Sequence, residues 1–162
     1  MGVVMRETGK PVQESIVMDG LSSVDPQDFY AKRAEKWRSD KKIKRHGPTL
    51  FLKKTIITYK PRGVVAVITP WNGPFILSIN PVIQAILCGN SVIVKPSEVT
   101  PMSGAMVQEI FALADAPMHL VQTLIGDGET GAELISQGPD KVSFTGSVAT
   151  GKKIAAKCGE ML

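Results

Sequence analysis

The chain is poor in cysteine and aromatic residues and has no long apolar run. Its two cysteines, Cys88 and Cys158, stand far apart and in no metal-like spacing. That excludes a disulfide scaffold and a zinc site, and it fits a reducing, cytoplasmic setting. Aromatic residues make up only 6% of the chain. No apolar stretch reaches the roughly 18–20 residues that a membrane span needs, because Trp71, Asn72, Asn80, Gln84 and the prolines interrupt the longest candidate. The opening MGVVMRETGK lacks a hydrophobic signal core, so no membrane partner is expected. The 15 glycines and 11 prolines fall singly between apolar runs, which excludes collagen-like and low-complexity chains. What remains, 162 residues at 43% hydrophobic and 21% charged, is one globular domain's worth of chain and is not disordered.

The formal charge of +4 is unevenly spread. Residues 1–63 carry 14 Lys/Arg against 7 Asp/Glu, and residues 64–162 carry 5 against 8. Much of the excess lies in residues 32–45, KRAEKWRSDKKIKR. A basic run with one Trp can serve as a nucleic-acid patch. No DNA- or RNA-binding motif accompanies it, so the plainer reading is a solvated charged face, with no nucleic acid as partner. The change of composition at Gly63 divides the chain into an N-terminal helical segment (1–49), short strands with a turn (50–63) and a larger α/β portion (64–162).

In residues 26–37, Phe29, Tyr30, Ala34 and Trp37 recur at helical spacing, with Asp25 as N-cap and Pro26 at the first helical position. Residues 50–59, LFLKKTIITY, are β-branched and aromatic and end at Lys60-Pro61-Arg62-Gly63, which predicts one or two short strands. Beyond Gly63, short apolar runs alternate with helical ones. Residues 64–69 form a strand buried on both faces, and residues 74–88 a helix kinked at Pro81 and ended by Gly89-Asn90. Cys88 is expected to be buried in that helix. Residues 91–95 form a second strand. Thr100-Pro101 caps a helix with Met102, Met106, Ile110 and Leu113 on one face. Strands over 120–125 and 141–144 and helices over 129–135 and 147–158 complete the order. This alternation predicts an α/β fold: a mostly parallel, doubly wound, Rossmann-like sheet with helices on both faces and a short strand or hairpin extension. Ligands of such sheets bind beyond the carboxyl ends of the strands.

Four strand ends carry the candidate chemistry. Gly126, Gly128 and Gly131 form a literal G-x-G-x-x-G between strand and helix. The dinucleotide fingerprint also wants an acidic residue about 20 positions on, and there the chain has Phe144-Thr145-Gly146-Ser147 instead. The run therefore also reads as a loop that needs glycine turns. An acid in the right place is Glu98, in Lys95-Pro96-Ser97-Glu98. A carboxylate there would accept from both ribose hydroxyls and repel a 2′-phosphate, favouring NAD over NADP; an exposed Lys/Glu turn is the plainer alternative. Ser147 caps a helix whose free amides could face a phosphate, or it is an ordinary N-cap. Trp71-Asn72-Gly73-Pro74 reads most simply as an Asx turn. The other possibility is an Asn amide fixed where it donates to a developing oxyanion.

Taken together, the four strand ends resemble the aldehyde dehydrogenase superfamily. Thr69-Pro70-Trp71-Asn72 is similar to its P-W-N segment, Lys95-Pro96-Ser97-Glu98 to K-P-S-E, and Phe144-Thr145-Gly146-Ser147 with Gly151 to F-T-G-S-x-x-x-G. Arg6-Glu7-Thr8-Gly9-Lys10-Pro11 resembles the upstream E-T-G-K-P segment, so the likeness covers essentially the whole chain. The resemblance implies an oxyanion-stabilising role for Asn72 and a ribose-holding role for Lys95 and Glu98, with Ser97 in the same segment. Phe144, Thr145, Gly146, Ser147 and Gly151 would form the pyrophosphate segment. Ile68, Thr69, Pro70 and Trp71 would line the cofactor cleft, and Gly128 and Gly131 would let backbone approach the adenine side. The implied cofactor is NAD, with NADP still open, and the implied partners are an aldehyde in a complete enzyme and a second subunit or longer chain meeting residues 50–59.

The resemblance also implies a cysteine nucleophile and a glutamate base beyond the F-T-G-S helix. This sequence closes at Gly159-Glu160-Met161-Leu162, about where the family's E-L-G-G segment would begin. Cys88, Cys158 and Glu160 stand in none of the matching motifs. The expectation is a cofactor-binding portion that oxidises no aldehyde alone, or a non-catalytic module that assembles with a longer dehydrogenase chain.

Overall fold

The structure is a computed structural model that describes residues 1–44, 47 and 53–161. Helical elements come first: α1 (Gly2–Thr8), α2 (Val12–Glu14), a π-helical stretch (Ser15–Leu21), α3 (Ser22–Ala31) and α4 (Ala34–Arg38). Two short strands follow, β1 (Lys41–Ile43) and β2 (Thr55–Ile57). The alternating part runs β3 (Val64–Ile68), α5 (Ile76–Leu87), β4 (Ser91–Lys95), α6 (Pro101–Leu113), β5 (Val121–Thr123), α7 (Gly128–Ser136), β6 (Lys141–Phe144) and α8 (Val148–Gly159).

The fold class is as the alternation predicts. A four-stranded parallel sheet has the order β5-β4-β3-β6. β3 pairs with β4 from Val64↔Ser91 to Ile68↔Lys95, and with β6 from Val65↔Lys141 to Ile68↔Phe144. The chain winds outward from β3 through β4 to β5, then returns to the other side of β3. The winding reverses at β3 and β6, and a doubly wound sheet opens a crevice at the carboxyl ends of such strands.

Period-two alternation splits the core between the two faces of the sheet. Val65, Val67, Val92 and Val94 meet Phe75, Ile79 and Val82 of the α5 region, Val107 of α6 and Val4 of α1. Ala66 and Ile68 meet Leu134 and Ile135 of α7 on the opposite face, with Ile154 and Cys158 of α8 only half-buried against them. β3 is buried on both sides from Val65 to Ile68, which explains its unbroken apolar run.

Several expectations fail. Pro26 lies inside α3 and does not open it, because helical backbone already runs from Val12. Ser15, Asp19 and Ser23 point inward at four-residue spacing, and the Ser23 hydroxyl donates to the Asp19 carbonyl at 2.5 Å. Val12, Ile16, Val17, Met18, Leu21 and Val24 are all exposed. This polar-in, apolar-out arrangement is the reverse of what helical periodicity looks for. The helix expected over 26–37 is broken between Ala31 and Ala34. β1 falls in the basic run and pairs antiparallel with β2; residues 50–52 of the expected strands lie outside the described residues.

α6 also presents a different face from the expected one. Met102 and Leu113 are 58% and 85% exposed, whereas Ser103, Gly104 and Val107 are buried. The helix comes close to the sheet on small residues, and a Cβ on Gly104 would stand 2.3 Å from Pro96 Cβ. Thr100 makes no side-chain cap, because Glu7 of α1 takes that role: its carboxylate accepts from the amides of Met102 and Ser103, each at 2.8 Å, and from the Ser103 hydroxyl at 2.6 Å. Cys88 is exposed and lines a groove with Tyr30, Trp37 and Arg38.

Candidate functional site

The turn after β3 is built from behind. Thr69 is buried; its amide donates to the Lys95 carbonyl at 3.1 Å and its hydroxyl lies 2.9 Å from that of Ser78. Gly73, Pro74 and Phe75 are buried, and the amides of Phe75 and Ile76 donate to Asp19 Oδ1 at 3.2 and 3.3 Å. Pro70 is half-buried, while Trp71 and Asn72 stand exposed at the tip. An Asx turn at Asn72 would need an N–H two residues on. That residue is Pro74, which has none, and among the described residues the Asn72 carboxamide makes no hydrogen bond. The Asx reading is therefore excluded, and the carboxamide is left as a free donor.

The turn after β4 presents a lysine and a glutamate. The Lys95 side chain is 5% exposed, with Nζ 3.6 Å from Oε2 of the exposed Glu98. Ser97 spends its hydroxyl on the turn itself, accepting from the Val99 amide at 3.3 Å, while its carbonyl accepts from Thr100 at 3.1 Å. Ser97 therefore shapes the turn that carries Glu98.

At the other two strand ends, glycine makes room. A Cβ on Gly126 would stand 2.1 Å from Thr130 Oγ1. Gly128 faces open space, and a Cβ on Gly131 would rest 3.8 Å from the Lys95 stem. The Phe144 ring lies beneath both Gly146 and Gly151, where a Cβ would stand 2.5 and 3.5 Å from it. The spacing F-T-G-S-x-x-x-G thus reads as a ring with two places cleared for it. Thr145 donates its amide to the Ile68 carbonyl at 3.0 Å, joining this turn to β3. Ser147 caps α8, accepting from the Thr150 amide at 3.1 Å.

The four helices that follow these strands differ in how their positive N-terminal ends are closed. α5 meets the Asp19 carboxylate, α6 that of Glu7, and α7 that of Asp127, whose Oδ1 accepts from Glu129 and Thr130 amides at 3.0 and 3.2 Å. The Thr130 amide holds the Asp127 carboxyl below its ordinary range against the opposing effect of desolvation, and the Glu129 amide adds to the lowering. α8 alone among them opens on an uncharged serine.

Between α7 and α8, over the ends of β3 and β4, lies a cleft of about 460 Å³. Of the residues expected at the site, it gathers Ile68, Lys95, Gly128 and Gly131. Asn72, Trp71, Glu98 and the Phe144 turn surround the strand ends without lining it. Sequence reasoning missed Thr150, Lys153, Ile154 and Lys157 of α8 in the lining. Their three-, four- and seven-residue spacing is a helical stripe and could have been read as one. Among the described residues, no three His, Cys, Asp or Glu side chains gather as metal ligands, and no helix is long and apolar enough to cross a membrane.

A parallel sheet that reverses at β3, with its loops and cleft at the strand ends, makes this a Rossmann-like α/β protein. The chain belongs to the aldehyde dehydrogenase family, which it matches over residues 1–162. It is 43% identical over 148 residues to a 4,4'-diapolycopene aldehyde oxidase from Methylomonas sp, covering 91% of this chain and 28% of that protein. A Mycolicibacterium smegmatis protein with the provisional name succinate-semialdehyde dehydrogenase (NADP(+)) is 38% identical over 165 residues, covering 100% and 31%. Among solved structures, Mycobacterium tuberculosis aldehyde dehydrogenase complexed with NAD+ superposes with a TM-score of 0.89 at 31% identity, covering 99% of this chain and 32% of that one. The chain thus spans about a third of the length of the relatives it matches.

Proposed function

We propose that this chain is the dinucleotide-binding portion of an NAD(P)-dependent aldehyde dehydrogenase. The observation that carries the reading is the α7–α8 cleft beside α8, the one of the four helices following the sheet strands whose N-terminus is not closed by a carboxylate. A pyrophosphate needs free amides and no competing negative charge, and α8 meets both conditions where α5, α6 and α7 do not. The donor set fits the rest of such a ligand. Lys95, buried but for its cleft side, and Glu98 offer opposite charges to ribose hydroxyls, Gly128 leaves the wall open, and Ile68, Ala132, Ile135 and Ile154 form an apolar bed for a base. Glu98 disfavours a 2′-phosphate, so NAD is preferred over NADP.

When bound, the dinucleotide supplies the hydride acceptor for aldehyde oxidation. The chain's own part is to bind and orient it and to offer the Asn72 amide to the substrate oxygen. That amide would stabilise an oxyanion once a nucleophile attacks the aldehyde. Neither cysteine is suited to the attack: Cys88 lines the Tyr30–Trp37 groove, and Cys158, near the far end of α8, packs against the core around Leu134 and Ile135. Titration calorimetry of the chain with NAD+ and NADP+ tests the reading. Saturable NAD+ binding that weakens in Glu98→Gln and Ser147→Ala is expected, with no NADH formed from added aldehyde. Absence of any binding contradicts it.

The β1–β2 ribbon supports a second reading, assembly with another chain. All six of its residues are exposed, Ile43, Ile56 and Ile57 among them, with Tyr59 just beyond. A lone two-stranded ribbon is marginal in water, so a partner strand or sheet covering these residues would stabilise it. Light scattering of the chain, alone and mixed with a full-length relative, separates the cases: a persistent monomer that never co-migrates removes the assembly reading.

A further inference from the structure

The E-T-G-K-P segment lies in the first turns of the chain, yet Glu7 reaches the start of α6 directly and Lys10 reaches the start of α5 through Asp19. Gly9, in the left-handed region at φ 71°, ends α1 with its amide on the Met5 carbonyl. This turns the chain so that Glu7 and Lys10 diverge. Glu7 reaches the start of α6, 95 residues on, where its two oxygens take the Met102 and Ser103 amides. Lys10 Nζ meets Asp19 Oδ2 at 2.8 Å, and the other Asp19 oxygen takes the Phe75 and Ile76 amides at the start of α5. The Asp19 side chain is fully buried and that of Lys10 is 14% exposed. Each carboxylate thus caps a helix belonging to a distant part of the chain. The helix capped by Glu7 begins three residues after Glu98, and the one capped by Asp19 begins four residues after Asn72.

We propose that Glu7 and Asp19 are positioning residues: Glu7 sets the Lys95–Glu98 turn and Asp19, braced by Lys10, sets the Trp71–Asn72 turn. The proposal rests on the dinucleotide reading for its functional consequence. Helix α6 rides on Pro96 at Gly104, so moving its first turn moves Pro96, the residue between Lys95 and Ser97. Thr100 cannot replace Glu7, since its buried hydroxyl makes no hydrogen bond in the structure. Asp19 is buried within the π-helical stretch, and π-helical turns are frequent at functional sites.

A double-mutant cycle reads the coupling. Glu7→Gln should weaken NAD+ binding about five- to tenfold, and it should cost little further in a Glu98→Gln background, because it acts through that turn. Additive losses would overturn the proposal, since a purely structural role lowers affinity regardless of Glu98. Amide exchange supplies a readout independent of ligand. In Glu7→Gln the Val99 and Thr100 amides, held only within the turn, should exchange about tenfold faster while β3 and β4 amides do not change. In a Lys10→Met/Asp19→Asn pair, which leaves no unpaired buried charge, the Phe75 and Ile76 amides should respond in the same way. Unchanged exchange at these amides overturns the positioning role. If the parent chain binds no NAD+, the dinucleotide reading fails, and exchange still decides this one.

Discussion

The two faces of the sheet are built to different standards. The α5–α6 side has a dense valine core, a glycine contact between helix and turn, and helix starts closed by carboxylates from the N-terminal segment. The α7–α8 side has four buried apolar residues, an open cleft and, in α8, no fully buried residue. Both flank the same strands, so the difference is not one of topology. One side secures the strand-end turns, and the other leaves volume, the free first amides of α8 and the cleft-lining Lys153 beside those same ends. A binding site needs both: rigid placement from behind and an uncommitted surface in front.

Paired substitutions on the two faces can break that contrast. The largest effect is expected at Gly104→Val, where side-chain atoms would overlap Pro96 and overpacking should cost about 3 kcal/mol in urea unfolding. The matching change on the open side is Gly128→Val, where an added Cβ meets nothing within 4 Å. It should alter stability by no more than about 0.5 kcal/mol while weakening NAD+ binding. Equal destabilisation of the two variants would remove the distinction. Next in size, Val67→Ala in the fully buried strand should cost about 2 kcal/mol by thermal unfolding, and Ile154→Ala on half-buried α8 about 1 kcal/mol. Ser147→Ala should cost about 1 kcal/mol through loss of the α8 cap and should lower dinucleotide affinity as well.

The smallest effect is a pH dependence at Asp127. Its carboxyl is held below the ordinary range by the Thr130 and Glu129 amides, so the folded chain keeps the charge to lower pH than the unfolded chain does. The cap's contribution is therefore complete at neutral pH and is lost as pH falls through and below the carboxylate range. An acid titration followed at the Glu129 and Thr130 amides should show a midpoint below that of an unstructured Asp. A midpoint at the unstructured value would mean that the cap is not formed.

The regular parts of this fold were legible because local and global signals agree in them. An unbroken apolar run marks β3 as central, SVIVK marks β4, and Ser147 stands where it caps α8. The expectations failed where tertiary contacts replace local ones. Thr100-Pro101 looks like a complete N-cap, but the acceptor comes from Glu7. The Met102–Leu113 stripe looks like a buried face, but closeness to Pro96 selects Gly104 and Ser103 instead. Residues 12–24 hide their helix because Ser15, Asp19 and Ser23 face inward. β1 is hidden among lysines because an exposed ribbon has no buried face to print a pattern. At the site, the glycines were visible as letters, while the reason for Gly146 and Gly151, the Phe144 ring between them, is visible only in space.

The most direct test of the division between a securing face and a binding face is a titration of the isotopically labelled chain with NAD+, followed amide by amide. Saturable shifts should concentrate at Lys95–Glu98, Gly128–Gly131 and Gly146–Gly151, with α5 and the far half of α6 unmoved. Shifts centred on α5 and α6, or none that saturate, would contradict it.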